Sequence, residues 1–447
     1  MSQGRRESAA SGGPGWRPTA DGPIVVPGAI LPVRSGRPSR RRLLFAGVTM
    51  LLWTLPQVTG MLSVFRDTLQ SHFAISIDQF GLMISIGAIP GMLGAVLGGR
   101  LVDRRGPRVV LRVCLFGAAV GMAMAALAGE WIYLLVALGV TALFSSPMWI
   151  AAQSYLVRLF PRRRRRVLSL SLVAMSITGV AVPLLAEGLL HLRRTHPSVS
   201  FSHILHIPFA VTAGVLLLAV PLYRRRKALG AAAAVPSVPG ESARRPLDKS
   251  ALLLVGMMVV HDMCDNSAMM WMPRVLGSSS YAERPLLPGV VTAGFSLAYV
   301  LARGLLSVLP EQWGRRAMLI APGVVGSAVL LAGILSRSQA VTAVCYVVGG
   351  FCWSFEFPAI LSTLAGSDGR RFGSALGLLS VGSGLATFAL ANTMGLLARS
   401  LGDASLWMIL ILPAAGFPLV SLGGVIWVWR FGRGGPGPEA RAKEQPE

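Results

Sequence analysis

His261, Asp262, Asp265, Arg303 and Glu356 all fall inside stretches that are otherwise apolar. A charged group in a low-dielectric interior is costly, so each is a candidate functional residue. Asp262 and Asp265 are three apart and His261 and Asp265 four apart, so a helix would bring all three to one broad face. A carboxylate in such a setting can take up and release a proton as its hydration changes. Asp265 and Glu356, with Asp262 and His261 beside them, are therefore the expected proton-coupling groups. The competing expectation for each is a neutral or paired structural contact facing a water-filled vestibule. Arg303 lies about 9 Å of helix rise from the nearer end of its stretch, and snorkelling to the interface is expected of it. Pointing inward, it would pair with Glu356 or Asp265, or hold an anionic substrate. Glu187, toward the end of another stretch, is expected to be wetted.

Neutral polar and aromatic residues in the same stretches complete an expected substrate-binding set. Trp53, Gln57 and Thr59 surround a kink predicted at Pro56; Trp149 and Gln153 share one stretch, Asn266 and Trp271 another, and Trp353 and Asn392 lie in two more. Amides and indoles suit hydroxylated solutes, whose hydroxyls need hydrogen bonds and whose ring faces stack on aromatics. Tryptophan near the end of an apolar stretch also serves as an interfacial anchor.

The elements that must position these residues are membrane-spanning helices. About 20 mostly apolar residues are needed to cross a bilayer with every backbone group satisfied. Twelve such stretches are predicted near 43–64, 78–100, 108–128, 131–157, 167–190, 203–223, 251–275, 288–309, 316–336, 339–365, 372–397 and 405–430. With 53% hydrophobic and only 14% charged residues, the chain has lipid as its main solvent. The net charge of +23 would suggest nucleic acid in a soluble protein, but the arginines lie in alternate connections. Arg40 to Arg42, Arg104, Arg105 and Arg108, Arg162 to Arg166, Arg224 to Arg226, Arg315 and Arg316, Arg370 and Arg371, and Arg430 and Arg433 all fall on one side. The positive-inside rule makes that side cytoplasmic, which places both termini and the central linker there. No basic domain with base-stacking aromatics is visible, so nucleic acid is not an expected partner.

The expected organisation is a disordered cytoplasmic arm (1–42), a six-helix half (43–223), a linker (224–250), a second six-helix half (251–430) and a polar tail (431–447). The fold class is all-α, polytopic, with twelve spans in a 6+6 pseudo-repeat. Ser39-Arg40-Arg41-Arg42-Leu43-Leu44 looks like a twin-arginine export signal, but the apolar run after it is too long and eleven further spans follow. Cys114, Cys264, Cys345 and Cys352 lie inside spans without metal-ligand spacing and are read as packing residues; no metal site is expected.

The two halves echo each other. Gly99-Arg100-Leu101-Val102-Asp103-Arg104-Arg105-Gly106-Pro107-Arg108 joins spans two and three, and Ser307-Val308-Leu309-Pro310-Glu311-Gln312-Trp313-Gly314-Arg315-Arg316 joins spans eight and nine, with acid, glycine and arginine at the same spacing. Arg166-Val167-Leu168-Ser169 and Arg371-Phe372-Gly373-Ser374 are a second echo. Duplicated six-helix halves are typical of secondary transporters, which hold substrate between the halves. The first of these loops resembles the signature loop of the major facilitator superfamily, and with twelve spans and two halves the resemblance covers nearly the whole chain. Gly99 and Gly106 permit close helix approach and a tight turn, while Asp103 offers a carboxylate to arginines and to a helix N-terminus. The resemblance implies a gating latch of Gly99, Asp103, Arg104, Gly106 and Arg108, with Asp103 facing the start of span eleven near Phe372 and Arg104 and Arg108 as its partners. Glu311, Gly314 and Arg315 form the second copy. Arg105 and Arg162 to Arg166 are expected to be solvated topological charges.

A narrower resemblance is to fucose-permease-like carriers, in Asp265-Asn266-Ser267-Ala268-Met269-Met270-Trp271-Met272-Pro273-Arg274, in Phe357-Pro358-Ala359-Ile360-Leu361 and in Gly373-Ser374-Ala375-Leu376-Gly377-Leu378. Phe160-Pro161 with the arginines after it, and Pro183-Leu184-Leu185, fit the same pattern. The chain departs from it where Asp265 replaces the usual Glu, in span four, and at Glu356.

The expected function is secondary transport of a small polar solute, sugar-like or a small organic anion, by alternating access of the two halves. The proton is the expected coupling ion, with no other cofactor. A monomer in the cell (inner) membrane is expected, with the bilayer and a small-molecule substrate as its partners. An exporter working by proton antiport is the alternative, although Gly179 and Pro183 stand apart where such exporters carry Gly-Pro. A non-transporting sensor on the same fold is the second. An enzyme is not expected, because no nucleophile–base pair is visible.

Overall fold

The computed structural model describes residues 25–26, 29–30, 40–56, 61–161, 163–196, 198–223, 247–276, 288–310, 314, 316–367, 371–401 and 403–432. The chain divides into a short unit, residues 1–45, and one continuous body, residues 46–447. In the first, β1 (Val25–Val26) and β2 (Ala29–Ile30) pair antiparallel. Most of the expected arm, linker and tail lies outside the described residues.

Helices occupy all twelve predicted positions. Span one is α1 (Arg40–Leu52), which ends four residues before Pro56, where the proline ring opposes the Leu52 carbonyl; α2 (Met61–Val64) resumes beyond. The following connection carries α3 (Arg66–Phe73), which periodicity did not predict. Spans two to five are α4 (Ile77–Arg105), α5 (Pro107–Ala126), α6 (Trp131–Leu159) and α7 (Arg164–Thr195). Span six is α8 (Phe201–Ala219), ending in a 3-10 turn to Tyr223. Spans seven and eight are α9 (Lys249–Leu276) and α10 (Pro288–Val308). Span nine is α11 (Ala321–Leu335), and span ten is divided into α12 (Gln339–Trp353) and α13 (Glu356–Ser367). Span eleven is α14 (Phe372–Leu401), and span twelve is a 3-10 segment leading into α15 (Ile411–Arg430).

Local chemistry sets several of these limits. Ser76 and Gln79 cap α4 reciprocally, Ser76 Oγ accepting from Gln79 N at 3.2 Å and Gln79 Oε1 from Ser76 N at 2.8 Å. Gly106, at φ 86°, turns the chain from α4 into Pro107 in the first turn of α5. Gly314, its counterpart in the second half, has φ 63°. The break between α12 and α13 has the same cause as that in α1: Pro358 opposes the Ser354 carbonyl four residues back.

Among the described residues eight helical segments, with α12 and α13 taken together as one, are long and apolar enough to cross a membrane. Large apolar side chains such as Leu97, Phe116, Leu218, Val344 and Leu419 face outward, as lipid requires. Within the body, α4, α5, α6 and α8 pack together, as do α9 with α14 and α15 and α11 with α12. Two long seams, α4 along α14 and α7 along α10, join the first six positions to the last six. The interior of the second half is aromatic: Phe295 stacks on Tyr346 at 4.3 Å, and Trp353 on Phe417 at 4.2 Å.

Candidate functional site

The break in span ten places Trp353 and Glu356 one helical turn apart on the side facing α9. Four residues of spacing on α9 match them with Asp265 and His261, so the helices are tied by two rungs. In the first, Asp265 Oδ1 accepts the Tyr299 hydroxyl at 2.5 Å and Trp353 Nε1 at 3.3 Å, and the same indole donates to the Tyr299 oxygen. In the second, His261 Nδ1 lies 2.9 Å from Glu356 Oε2, with both side chains buried. Glu356 occupies the first turn of α13, where the positive end of the helix dipole favours a carboxylate. Ser421 Oγ approaches its other oxygen at 3.5 Å, and a Cβ on Gly323 would lie 2.5 Å from that oxygen. Phe417 packs against both rungs, its ring 5.5 Å from that of His261.

Arg303 does not snorkel. It is 5% exposed, its guanidinium lies 4.3 Å from the Tyr299 ring centroid, and Nη1 donates across the seam to the Leu172 carbonyl at 3.3 Å and to Ser176 Oγ at 2.8 Å on α7. The cause is the tight α7–α10 seam, which turns this face of α10 inward; a Cβ on Gly179 would already stand 2.8 Å from Ser296 Oγ. Nor does it form the expected ion pair with Glu356, whose partner is His261, or with Asp265, from which Tyr299 separates it.

On the first half, Ser171 Oγ accepts both Trp53 Nε1 at 2.9 Å and Gln153 Nε2 at 3.1 Å, joining α7 to the end of α1 and to α6. Gln153 Oε1 is buried and has no hydrogen-bond partner among the described residues. Trp149 is half-buried. The structure does not bring every candidate to these groups. Asn266 and Asn392 are exposed and donate to carbonyls of their own helices, those of Asp262 and Phe388. Trp271 is buried in the second-half core with Arg274 over its ring, and Asp262 is half-buried. Gln57 and Thr59 lie outside the described residues. Glu187 is half-buried rather than fully wetted, and its Oε1 lies 3.4 Å from Gly289 N at the start of α10.

A second group of polar contacts closes the arginine-rich end. Asp103 stands in the last turn of α4, not in a loop, because the helix runs on to Arg105. It accepts Gly373 N at 3.0 Å, Ser374 N at 2.8 Å and Ser374 Oγ at 2.6 Å at the N-terminus of α14. The helices approach closely because Gly99 meets Gly373: a Cβ on Gly99 would sit 2.4 Å from the Gly373 oxygen. The arginines are arranged differently from expectation. Arg104 is exposed, Arg108 lies over the Tyr155 ring, and the cation in the field of Asp103 is Arg158 of α6. Arg158 sits one turn beyond Ser154 on the inner face of α6, a position that spacing within the loop could not reveal. Two of the arginines read as solvated charges bond to the second half instead. Arg164 donates to the Ala365 carbonyl at 2.6 Å, and Arg165, 2% exposed, donates to the carbonyls of Leu309 and Pro310. Each lies over the C-terminal end of a second-half helix, where free carbonyls and the negative end of the dipole accept a cation. Arg105 is exposed; Glu311, Arg315 and Arg162 lie outside the described residues.

Sequence reasoning missed Tyr299, Ser171, Ser176 and the crossing arginines. The serines did leave a signal, since Ser169, Ser171 and Ser176 are polar positions in an otherwise apolar span.

The Major Facilitator Superfamily family model matches residues 43–286. Solved structures resemble the chain over most of its length. FucP of E. coli, a fucose:proton symporter, in the outward conformation, has a TM-score of 0.68 at 16% identity, covering 87% of this chain and 99% of that one. The proton:xylose symporter XylE matches with a TM-score of 0.69 at 15% identity, over 88% of this chain and 96% of that one. The human organic anion transporter MFSD10 matches with 0.66 at 16% identity, over 87% and 100%. No curated protein matches the chain. At these identities the structural likeness speaks for the fold, while the family match extends over more than half of the chain. With helices at all twelve positions and two seams joining the halves, the chain belongs to the major facilitator superfamily and is a multi-pass membrane transporter rather than an enzyme.

Proposed function

We propose that the protein carries a small polar solute across the cell (inner) membrane by alternating access, with proton symport through the acids of α9 and α13. The arginine-rich end is cytoplasmic, both termini lie on that side, and the carrier works as a monomer. The observation that carries this reading is the Asp265–Tyr299–Trp353 cluster, in which a half-buried carboxylate is held by two neutral donors and has no cation in direct contact. A carboxylate so placed can hold or release a proton without breaking an ion pair, as a coupling site requires. His261–Glu356 is the second proton-holding pair, sealed where Asp265 is partly accessible. Closure of the cytoplasmic end rests on Asp103, Arg164 and Arg165, whose contacts cross between the halves at that end. Trp53, Trp149 and Gln153 line the first-half side of the substrate path. FucP and XylE are proton symporters, which supports the coupling, and MFSD10, an organic anion transporter, supports an anionic solute as well as a sugar.

The test is proton flux in liposomes that contain the purified protein and an internal pH dye, challenged with neutral sugars, small carboxylates and lipophilic cations. Internal acidification on adding a sugar or a carboxylate outside is expected. Alkalinisation of acid-loaded vesicles on adding a cation would instead mean antiport and export.

A further inference from the structure

Resting on that transport reading, Arg303 narrows the substrate. Its guanidinium is buried at the α7–α10 seam, its hydrogen-bond acceptors are the neutral Leu172 carbonyl and Ser176 hydroxyl, and its Nε is buried without a partner. Among the described residues no carboxylate stands within ion-pair distance of it. Asp265 and Asp262 act on it only at longer range, and Asp265 Oδ1 is occupied by Tyr299 and Trp353. Arginine cannot escape this position by losing its proton. A buried charge without a counter-charge is unfavourable and is kept where one arrives. The neutral acceptors hold Nη1 and leave Nε, one of the two nitrogens of the edge that grips a carboxylate with two parallel bonds, without a partner among the described residues. A neutral sugar would leave the charge uncompensated.

We infer that Arg303 binds the carboxylate of a small organic anion, which travels together with a proton taken up at Asp265. The groups in the field of this pair are Asp262 and Cys264 on α9, Tyr299 on α10 and Tyr346 on α12, with the His261–Glu356 rung next to them. Tyr299 sets the coupling. While Asp265 is ionised, its negative charge lies across the tyrosine from the guanidinium and competes with an incoming anion. Once it is protonated, the positive charge of Arg303 is left for the substrate. Proton and anion bind as a neutral pair, no covalent bond changes, and both leave together on the other side.

The test uses full-length protein in lipid nanodiscs and matched probes: lactate with lactamide, gluconate with glucose, and benzoate with benzamide. At least one carboxylate is expected to bind where its neutral partner does not, and its binding is expected to take up a proton from the medium. Arg303→Gln is expected to weaken that binding by about a hundredfold and Arg303→Lys by less, with melting of each variant confirming the fold. Equal binding of neutral and charged partners, or unchanged anion binding in Arg303→Gln, overturns the inference. Proton-linked uptake of a neutral sugar without binding of any carboxylate overturns it while leaving the transport reading intact. Absence of flux for every probe, neutral or charged, in vesicles of folded protein overturns the transport reading on which it rests.

Discussion

Asp265 and Tyr299 are joined by a 2.5 Å hydrogen bond in which the phenol donates to the carboxylate, while Arg303 lies over the face of the same ring. One side chain thus touches the protonatable acid through its hydroxyl and the buried cation through its π face. Tyr299→Phe removes the first contact and keeps the second. A hydrogen bond to a charged group is worth about 1.5–3 kcal/mol, so gradient-driven uptake is expected to fall by about ten- to a hundredfold. Substrate affinity, set by the Arg303 guanidinium that the ring still supports, should change little. Comparing uptake with equilibrium binding in the same preparation checks this; equal loss in both would assign Tyr299 to binding instead.

Asp103→Asn should open the cytoplasmic end. The amide oxygen can accept from one of Gly373 N and Ser374 N, but its NH2 then presents a donor to the other, and the charge that favours the N-terminus of α14 is gone. A loss of about 2 kcal/mol from the closed state corresponds to roughly a thirtyfold shift in population. Double electron–electron resonance between spin labels at the cytoplasmic ends of α4 and α14 should show a longer-distance population; an unchanged distribution argues against the latch.

Gly373→Ala tests the same contact through shape instead of charge. The new Cβ would lie 2.7 Å from Asp103 Oδ1 and 2.7 Å from the Gly99 oxygen, both on α4. Overpacking of this kind costs about 1–3 kcal/mol, so the same spin-label pair is expected to separate, and retention of the wild-type distance would contradict the tight α4–α14 approach.

His261→Ala leaves the Glu356 carboxylate buried without its imidazole partner, with Ser421 and the Gly323 backbone at its other oxygen. Removing one member of a buried pair costs about 3–5 kcal/mol, and a marked fall in apparent Tm in detergent is expected. Glu356→Gln, whose amide can still bond to the imidazole, should cost less. Equal Tm values for wild type and His261→Ala would mean that the pair contributes nothing to the fold.

Much of this arrangement is legible in the sequence. Lipid requires long apolar helices, so span positions can be read from composition; Pro56 predicts a kink within span one, and there α1 instead ends, at Leu52. The α9 acids were visible as charges in an apolar run. Their partners were not, because the match of Asp265 with Tyr299 and Trp353 depends on the relative heights of α9, α10 and α12, which no helix encodes alone. Arg303 differs from expectation for the same reason: distance along α10 places it near an interface, but the α7 seam turns it inward. Arg164 and Arg165 belong to a run of five arginines that reads as topological charge. Which of them cross to the second half depends on where α7 begins and which helix ends lie opposite.

Coupling through Asp265 is tested most directly by reconstituting wild-type and Asp265→Asn protein in vesicles and comparing two fluxes of the solute identified from the probe panel. One is uptake driven by an imposed pH gradient, the other exchange at equal pH. Asp265→Asn is expected to keep exchange and to lose accumulation against a concentration gradient. Full proton-driven accumulation by Asp265→Asn would contradict the role assigned to this residue.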